Sequence, residues 1–274
     1  MSLTSLLKSG EARSRFGAAF PKTPMTAEPE LVAPVQTERP GHVGTAFDYL
    51  FRFTLRRLNP ENVQGEKWTA EVALRLLNGA DAKRGASAIN EAKAARDAYV
   101  SSGDVTLHLL EACLELARLD VAARTRGQYD IGQIDAVRPE DLDDLRRLHE
   151  TIPTDRFRAE NLCLLNPTFG KASGLVGGAD ADVLVDDLLL DIKTVQDASF
   201  SRNMLNQLVG YYTLHVIEGI GGLDPRPAIR RIGVYFSRHA YLHVVDLEDV
   251  IDRSTYPDFV EWFARYAMAE RLSR

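Results

Sequence analysis

Two short apolar runs in the middle of the chain carry carboxylates and a lysine at alternating positions. Ala181–Val185 and Leu188–Thr194 have the composition of strands and flank Asp186-Asp187. A two-residue turn there sets Val185 against Leu188 and steps the pairing back one residue at a time. Asp182 then faces Asp191, and Asp180 faces Lys193. Side chains alternate along a strand, so Asp180, Asp182, Asp191 and Lys193 share one face, while Val183, Val185, Leu190 and Ile192 point to the core. Directly opposed Cβ atoms are roughly 5 Å apart, and like charges so placed destabilise a sheet. A hard divalent cation between the carboxylates would relieve that repulsion. An ordinary exposed face of a hairpin would carry similar residues, so the surroundings decide between the two.

Those surroundings have a recognisable order. Gly177-Gly178-Ala179-Asp180-Ala181-Asp182 followed by Leu190-Asp191-Ile192-Lys193-Thr194 resembles the GxxD … (D/E)xK core of the PD-(D/E)xK nucleases. Downstream, Gln207-Leu208-Val209-Gly210-Tyr211 is similar to the QxxxY motif of the RecB-like branch. Upstream, Gly44-Thr45-Ala46-Phe47-Asp48 resembles the GxxxH motif of that branch, with Asp48 where histidine is usual. The resemblance covers residues 41–60 and 160–247. It implies an α/β (α+β) fold of restriction-endonuclease type, a mixed central sheet flanked by helices with a helical N-terminal or inserted region.

The resemblance also implies a function. Mg²⁺ or Mn²⁺ would be held by Asp191, the carbonyl of Ile192 and a first-strand aspartate, with Asp48 as a further hard oxygen ligand. The GxxD register favours Asp180 as the first-strand ligand, whereas cross-strand geometry favours Asp182; Asp182 is taken first and Asp180 second. Lys193 would orient or deprotonate the attacking water and pair with phosphate. Gln207 and Tyr211, four residues apart and on one helix face, would brace the site or the nucleic-acid strand. Arg124 is a further candidate for phosphate contact. The expected activity is metal-dependent hydrolysis of phosphodiester bonds, with DNA as partner, in DNA repair, recombination or phage defence. The alternative is a nucleic-acid-binding or scaffold module without turnover; a third reading gives the hairpin carboxylates a structural Ca²⁺.

The elements that must position these residues follow from periodicity. Residues 1–40 contain prolines at 21, 24, 29, 34 and 40 and read as an irregular arm, with a short helix near Thr4–Lys8. From residue 41 to 274 a single domain is expected, comprising a helical region to 150, a catalytic core over 160–247 and a C-terminal helix over 248–274. Apolar residues from Ala46 to Leu58 recur at three- and four-residue spacing and stop at Pro60. Further helices are expected over Thr69–Leu77, Ala86–Ser101, Asp104–Arg124 and from Pro139 to His149. Leu162–Leu165 reads as a strand, Ser201–Glu218 as a helix, Ile229–Phe236 and Tyr241–Val245 as a second hairpin, and Asp249 onward as helix. Glu111, Glu115 and Asp120 are candidates for an additional carboxylate near the metal or for the solvent side of their helix.

Composition narrows the classes. The 274 residues are 45% hydrophobic and 26% charged, as in ordinary globular proteins. No apolar run approaches the ~20 residues that span a bilayer, and the N-terminus lacks an apolar signal segment, so a cytoplasmic location is expected. Cys113 and Cys163 lie in apolar stretches without metal-ligand spacing and read as buried thiols. The six histidines make one HxxxH spacing, His239 and His243, with no third His or Cys at ligand spacing beside it, which argues against a zinc centre. A net charge of −6 excludes bulk coating of nucleic acid, but a cation site needs carboxylates and leaves room for local basic patches. Arginines cluster over 55–57, 124–126, 146–147 and 226–231.

Overall fold

The computed structural model describes residues 2–65, 67–124 and 137–273. A six-stranded mixed sheet lies between two layers of helix. In sequence order the strands are β1 (Val63–Gln64), β2 (Cys163–Leu165), β3 (Val183–Val185), β4 (Leu188–Lys193), β5 (Arg231–Phe236) and β6 (Tyr241–Asp246), and they neighbour one another in that same order. β1 and β2 are parallel, β2, β3 and β4 run antiparallel in turn, β4 and β5 are parallel, and β5 and β6 are antiparallel. The parallel β4–β5 pair needs a crossover, which helix α9 (Arg202–Glu218) supplies.

One layer contains α3 (Pro40–Leu58), α4 (Thr69–Ala73), α5 (Gly79–Ser102), α6 (Leu107–Arg124) and α7 (Pro139–Glu150). It packs on Val183, Val185, Leu188, Leu190 and Tyr235. The other contains α1 (Leu3–Leu6), α2 (Gly10–Ala19), α8 (Gly170–Leu175), α9 and α10 (Tyr256–Leu272), and packs on Leu184, Leu189, Ile232, Val234 and Phe236. Along β4, Leu188, Leu190 and Ile192 therefore meet the first layer, and Leu189 the second. By the same alternation Asp191 and Lys193 point toward the second layer.

This corrects the expectation of a hairpin with one core face and one polar face. Both faces of β3 and β4 are covered, and the polar residues occur only where the strands run out of the core. A strand buried on both sides reads as a continuous apolar run, as Leu188-Leu189-Leu190 does.

The N-terminal segment also differs from its irregular reading. Ser9 caps α2 by accepting from the Ala12 backbone N–H, and Phe16 packs edge-on against Phe259 and Phe263 of α10. The prolines begin only after this helix, and residues 21–39 are indeed without helix or strand. At the other end, a 3-10 turn at Leu247–Asp249 precedes α10, which starts at Tyr256 with Pro257 in its first turn instead of at Asp249. β1 and α8, absent from the sequence reading, are too short to show a period. No helix among the described residues is long and apolar enough to cross a membrane.

Candidate active site

The carboxyl end of β4 opens into a cleft of about 520 Å³. Asp48, Arg124, Asp180, Asp182, Asp191, Ile192, Lys193, Gln207 and Tyr211 all line it, so the structure brings these candidate residues together from five separate segments. Clefts at the carboxyl ends of parallel strands are where chain crossovers leave room for ligands.

The hairpin register is the expected one as far as it runs. Val185 pairs with Leu188, Leu184 with Leu189 and Val183 with Leu190. The next step places Asp182 beside Asp191, and the Oδ2 of Asp182 accepts the Ile192 backbone N–H at 2.6 Å. There the expectation fails for Asp180. The chain leaves β4 after Asp182, and Asp180 bridges to Thr168 on the opposite side, while Lys193 pairs with Phe236 of β5. Asp180 thus lies exposed at the mouth of the cleft, and Asp182 is the first-strand aspartate that approaches Asp191.

Asp191 is 3% exposed and has partners on both oxygens. Its Oδ2 pairs with Lys193 Nζ at 2.5 Å, and its Oδ1 accepts from Gln207 Nε2 at 3.1 Å. Gln207 also donates to Tyr211 Oη at 2.9 Å, one turn along α9, and the Tyr211 ring stacks on Phe169. Gln207, itself bonded to Tyr211, thus holds Asp191 from the helix that crosses back over the sheet. Ser201 fixes the start of that helix by accepting from the Met204 backbone N–H.

Helix α3 forms another wall. Gly44 faces Thr194, where an added Cβ would stand 3.3 Å from the Thr194 Cβ, so glycine permits the close approach of α3 to the end of β4. One turn on, Asp48 reaches the cleft with its Oδ2 held at 2.6 Å by Arg52, a guanidinium that is itself buried. The Arg52 guanidinium also lies over the Tyr49 ring. Sequence reasoning missed Arg52, although an Asp and an Arg four apart on a helix are a readable pair.

The electrostatics follow from crowding. Asp182 is only half-buried by contact with solvent, yet protein atoms surround its carboxyl closely. That desolvation, with the charges of Asp191 and Asp48, pushes its pKa well above the carboxylate range. Burial raises Asp191 as well, and Lys193 partly offsets the rise. Burial by itself would lower Lys193, but Asp191, Asp182 and Asp48 outweigh it and keep the ammonium charged. Burial and the same carboxylates raise Tyr211, so its hydroxyl stays protonated.

Other candidates fall outside this constellation. Glu111 and Glu115 do not line the cleft, and Glu115 pairs with Arg118 on its own helix. Asp120 is buried, but its oxygens are taken by the Tyr49 hydroxyl and by Arg124. Arg124 projects from the end of α6 into the cleft, and Arg126 lies outside the described residues. Cys113 and Cys163 are buried free thiols. Among the described residues, no three His, Cys, Asp or Glu side chains stand close enough as a group to hold a metal ion. The donors that do converge are two carboxylates with a third, Asp48, in their field. Comparison of the chain with family models, curated proteins and solved structures finds no match in any of the three.

Proposed function

We propose that the chain is a Mg²⁺- or Mn²⁺-dependent nuclease of PD-(D/E)xK type that hydrolyses phosphodiester bonds of DNA. The observation that carries this reading is the convergence of Asp182, Asp191 and Lys193 at the open end of β4, braced by Gln207 from the following helix. Separate motifs of the sequence line one cleft, which supports the resemblance, with Asp182 and not the GxxD aspartate Asp180 beside Asp191. A mixed sheet with helices on both faces supports a restriction-endonuclease-like fold.

The donor set fits a hard cation. All its members are oxygens, and Asp182 and Asp191 are crowded carboxyls that a divalent charge between them would stabilise in the ionised form. Asp182, Asp191 and the Ile192 carbonyl would hold the ion, with Asp48 adding its negative charge from the facing wall of the cleft. Bound there, the ion supplies positive charge to the scissile phosphate and acidifies water. Lys193 keeps its proton, so it serves as a cationic donor to a phosphate oxygen and orients the attacking water instead of removing its proton. Gln207 holds Asp191 in place while Lys193 turns from the carboxylate to the phosphate.

The test is degradation of plasmid and of single- and double-stranded DNA and RNA oligonucleotides with and without Mg²⁺ or Mn²⁺. Lys193→Ala and Asp191→Ala are expected to lose on the order of a hundredfold or more in rate while remaining folded. Absence of metal-dependent cleavage of every substrate, or full activity in both variants, would overturn the reading. A second reading, a nucleic-acid-binding module without turnover, is favoured by one observation: Asp191 has both oxygens already engaged by Lys193 and Gln207. It predicts salt-sensitive retention of DNA and no cutting even in Mn²⁺.

A further inference from the structure

Arg124 reaches the cleft through a chain of hydrogen bonds that crosses the helical layer. The Ala70 backbone N–H, at the start of α4, donates to the Tyr49 hydroxyl on α3 at 3.1 Å. That hydroxyl donates to Asp120 Oδ1 on α6 at 2.5 Å, and Asp120 Oδ2 accepts from Arg124 Nη2, one turn further along α6, at 3.2 Å. Tyr49 is fully buried and Asp120 is 3% exposed, whereas the Arg124 side chain is 69% exposed and lines the cleft. The chain therefore runs from backbone through two buried side chains to one cationic fork in solvent. Its charge acts across the cleft on Asp48 and Asp180.

The arrangement is one-sided. An exposed arginine at a helix end ordinarily samples many rotamers, and ordering it costs up to about 2 kcal/mol in side-chain entropy. Here the ordering is supplied by Asp120, a carboxylate whose burial would be unfavourable without the tyrosine and arginine hydrogen bonds it receives. Asp120 is thus explained by what it holds, and not as a metal ligand. A planar guanidinium held at the rim of the cleft matches a phosphate's paired oxygens.

We infer that Asp120 and Tyr49 are positioning residues that hold Arg124 as a clamp for a phosphate flanking the scissile one. This rests on the nuclease reading for its substrate class, a nucleic-acid strand, but its test does not require cleavage. Binding of a fluorescein-labelled DNA oligonucleotide to the full chain, followed by anisotropy in EDTA over a range of KCl, separates the two. Arg124→Ala is expected to weaken binding about three- to tenfold and to reduce the slope of log affinity against log salt by about one, the loss of one phosphate contact. Arg124→Lys should restore the slope but only part of the affinity. Asp120→Asn and Tyr49→Phe should keep the slope, because the charge remains, while weakening binding in the same direction. Tyr49→Phe leaves the packing volume intact, and a melting curve for each variant identifies any that misfolds. In turnover with Mn²⁺, the loss in these variants should fall mainly on KM, unlike that of Asp191→Ala. Unchanged affinity and unchanged slope in Arg124→Ala overturn the clamp, as does a wild-type chain that binds no oligonucleotide. Binding that follows this pattern without cleavage by the wild type keeps the clamp and removes the enzyme.

Discussion

At the scale of the residue, the cleft is a compromise between charge and burial. Asp182 and Asp191 sit side by side in the field of Asp48, with Lys193 as the cation in direct contact with Asp191. A carboxyl whose pKa is raised by folding binds more protons in the folded than in the unfolded chain. Its contribution to stability therefore worsens as the pH climbs above the unfolded value of about 4. Asp182→Asn removes one of the crowded charges while its side-chain oxygen can still accept from the Ile192 N–H. In metal-free buffer at pH 7 this variant is expected to melt at or above the wild-type temperature. On the proposed metal-dependent reading, Mg²⁺ or Mn²⁺ should raise the melting temperature of the wild type and not that of this variant. A variant that melts well below wild type in EDTA would mean that the carboxylate is structural. Both halves are read by differential scanning fluorimetry.

At the scale of the element, the hairpin is fastened at the end opposite the cleft. Asp186 has a positive φ at the turn, and its carboxylate accepts from the backbone N–H groups of Glu160, Asn161 and Leu162. Those three donors lie just before β2, so the turn of β3 and β4 is tied to the entry of their neighbour. Desolvation works against the charged carboxylate, but the three donors outweigh it and hold its pKa below the usual range. A lowered carboxylate pKa gives stability that is present above the unfolded value, about 4, and is lost as the pH falls through the folded one. Asp186→Ala is accordingly expected to cost about 1–2 kcal/mol at pH 7, a figure kept small by the partial exposure of the site. The difference from wild type should shrink as urea unfolding is repeated toward pH 3. A penalty that persists at low pH would assign the effect to turn geometry.

Across the whole molecule, the layer of α3 to α7 is joined to the sheet's far strands by a buried ion pair. Arg238, in the turn between β5 and β6, is 0% exposed and makes two hydrogen bonds of 2.8 Å to Asp144 of α7. It also donates to the Ala33 carbonyl, and its own carbonyl accepts from the Val32 and Ala33 N–H groups. One side chain thus connects the irregular segment, the sheet and the helical layer. Removing one partner of such a pair leaves a buried charge uncompensated, so Asp144→Leu alone should destabilise by about 3–5 kcal/mol. The double variant Arg238→Met/Asp144→Leu should recover much of that loss. Chemical denaturation of the two variants measures both, and a double variant as unstable as the single one would show that the pair's hydrogen bonds to backbone dominate.

How far the sequence reached depends on the range of the physics involved. Helix α3 was readable because a 3.6-residue period of apolar side chains is a local signal, α7 because Pro139 with Glu140 and Asp141 marks a first turn, and the β3–β4 register because a two-residue turn fixes it. The pairing of Asp182 with Asp191 came from that register. What only the tertiary structure decided was where the register ends, and with it that Asp180 turns away. It also decided that both sheet faces are covered, that the segment before residue 20 belongs to the second core, and that Asp120 faces Tyr49 and Arg124. Each of these depends on which distant surface an element meets, and a side chain's neighbours across a helical layer leave no period in the chain that carries it.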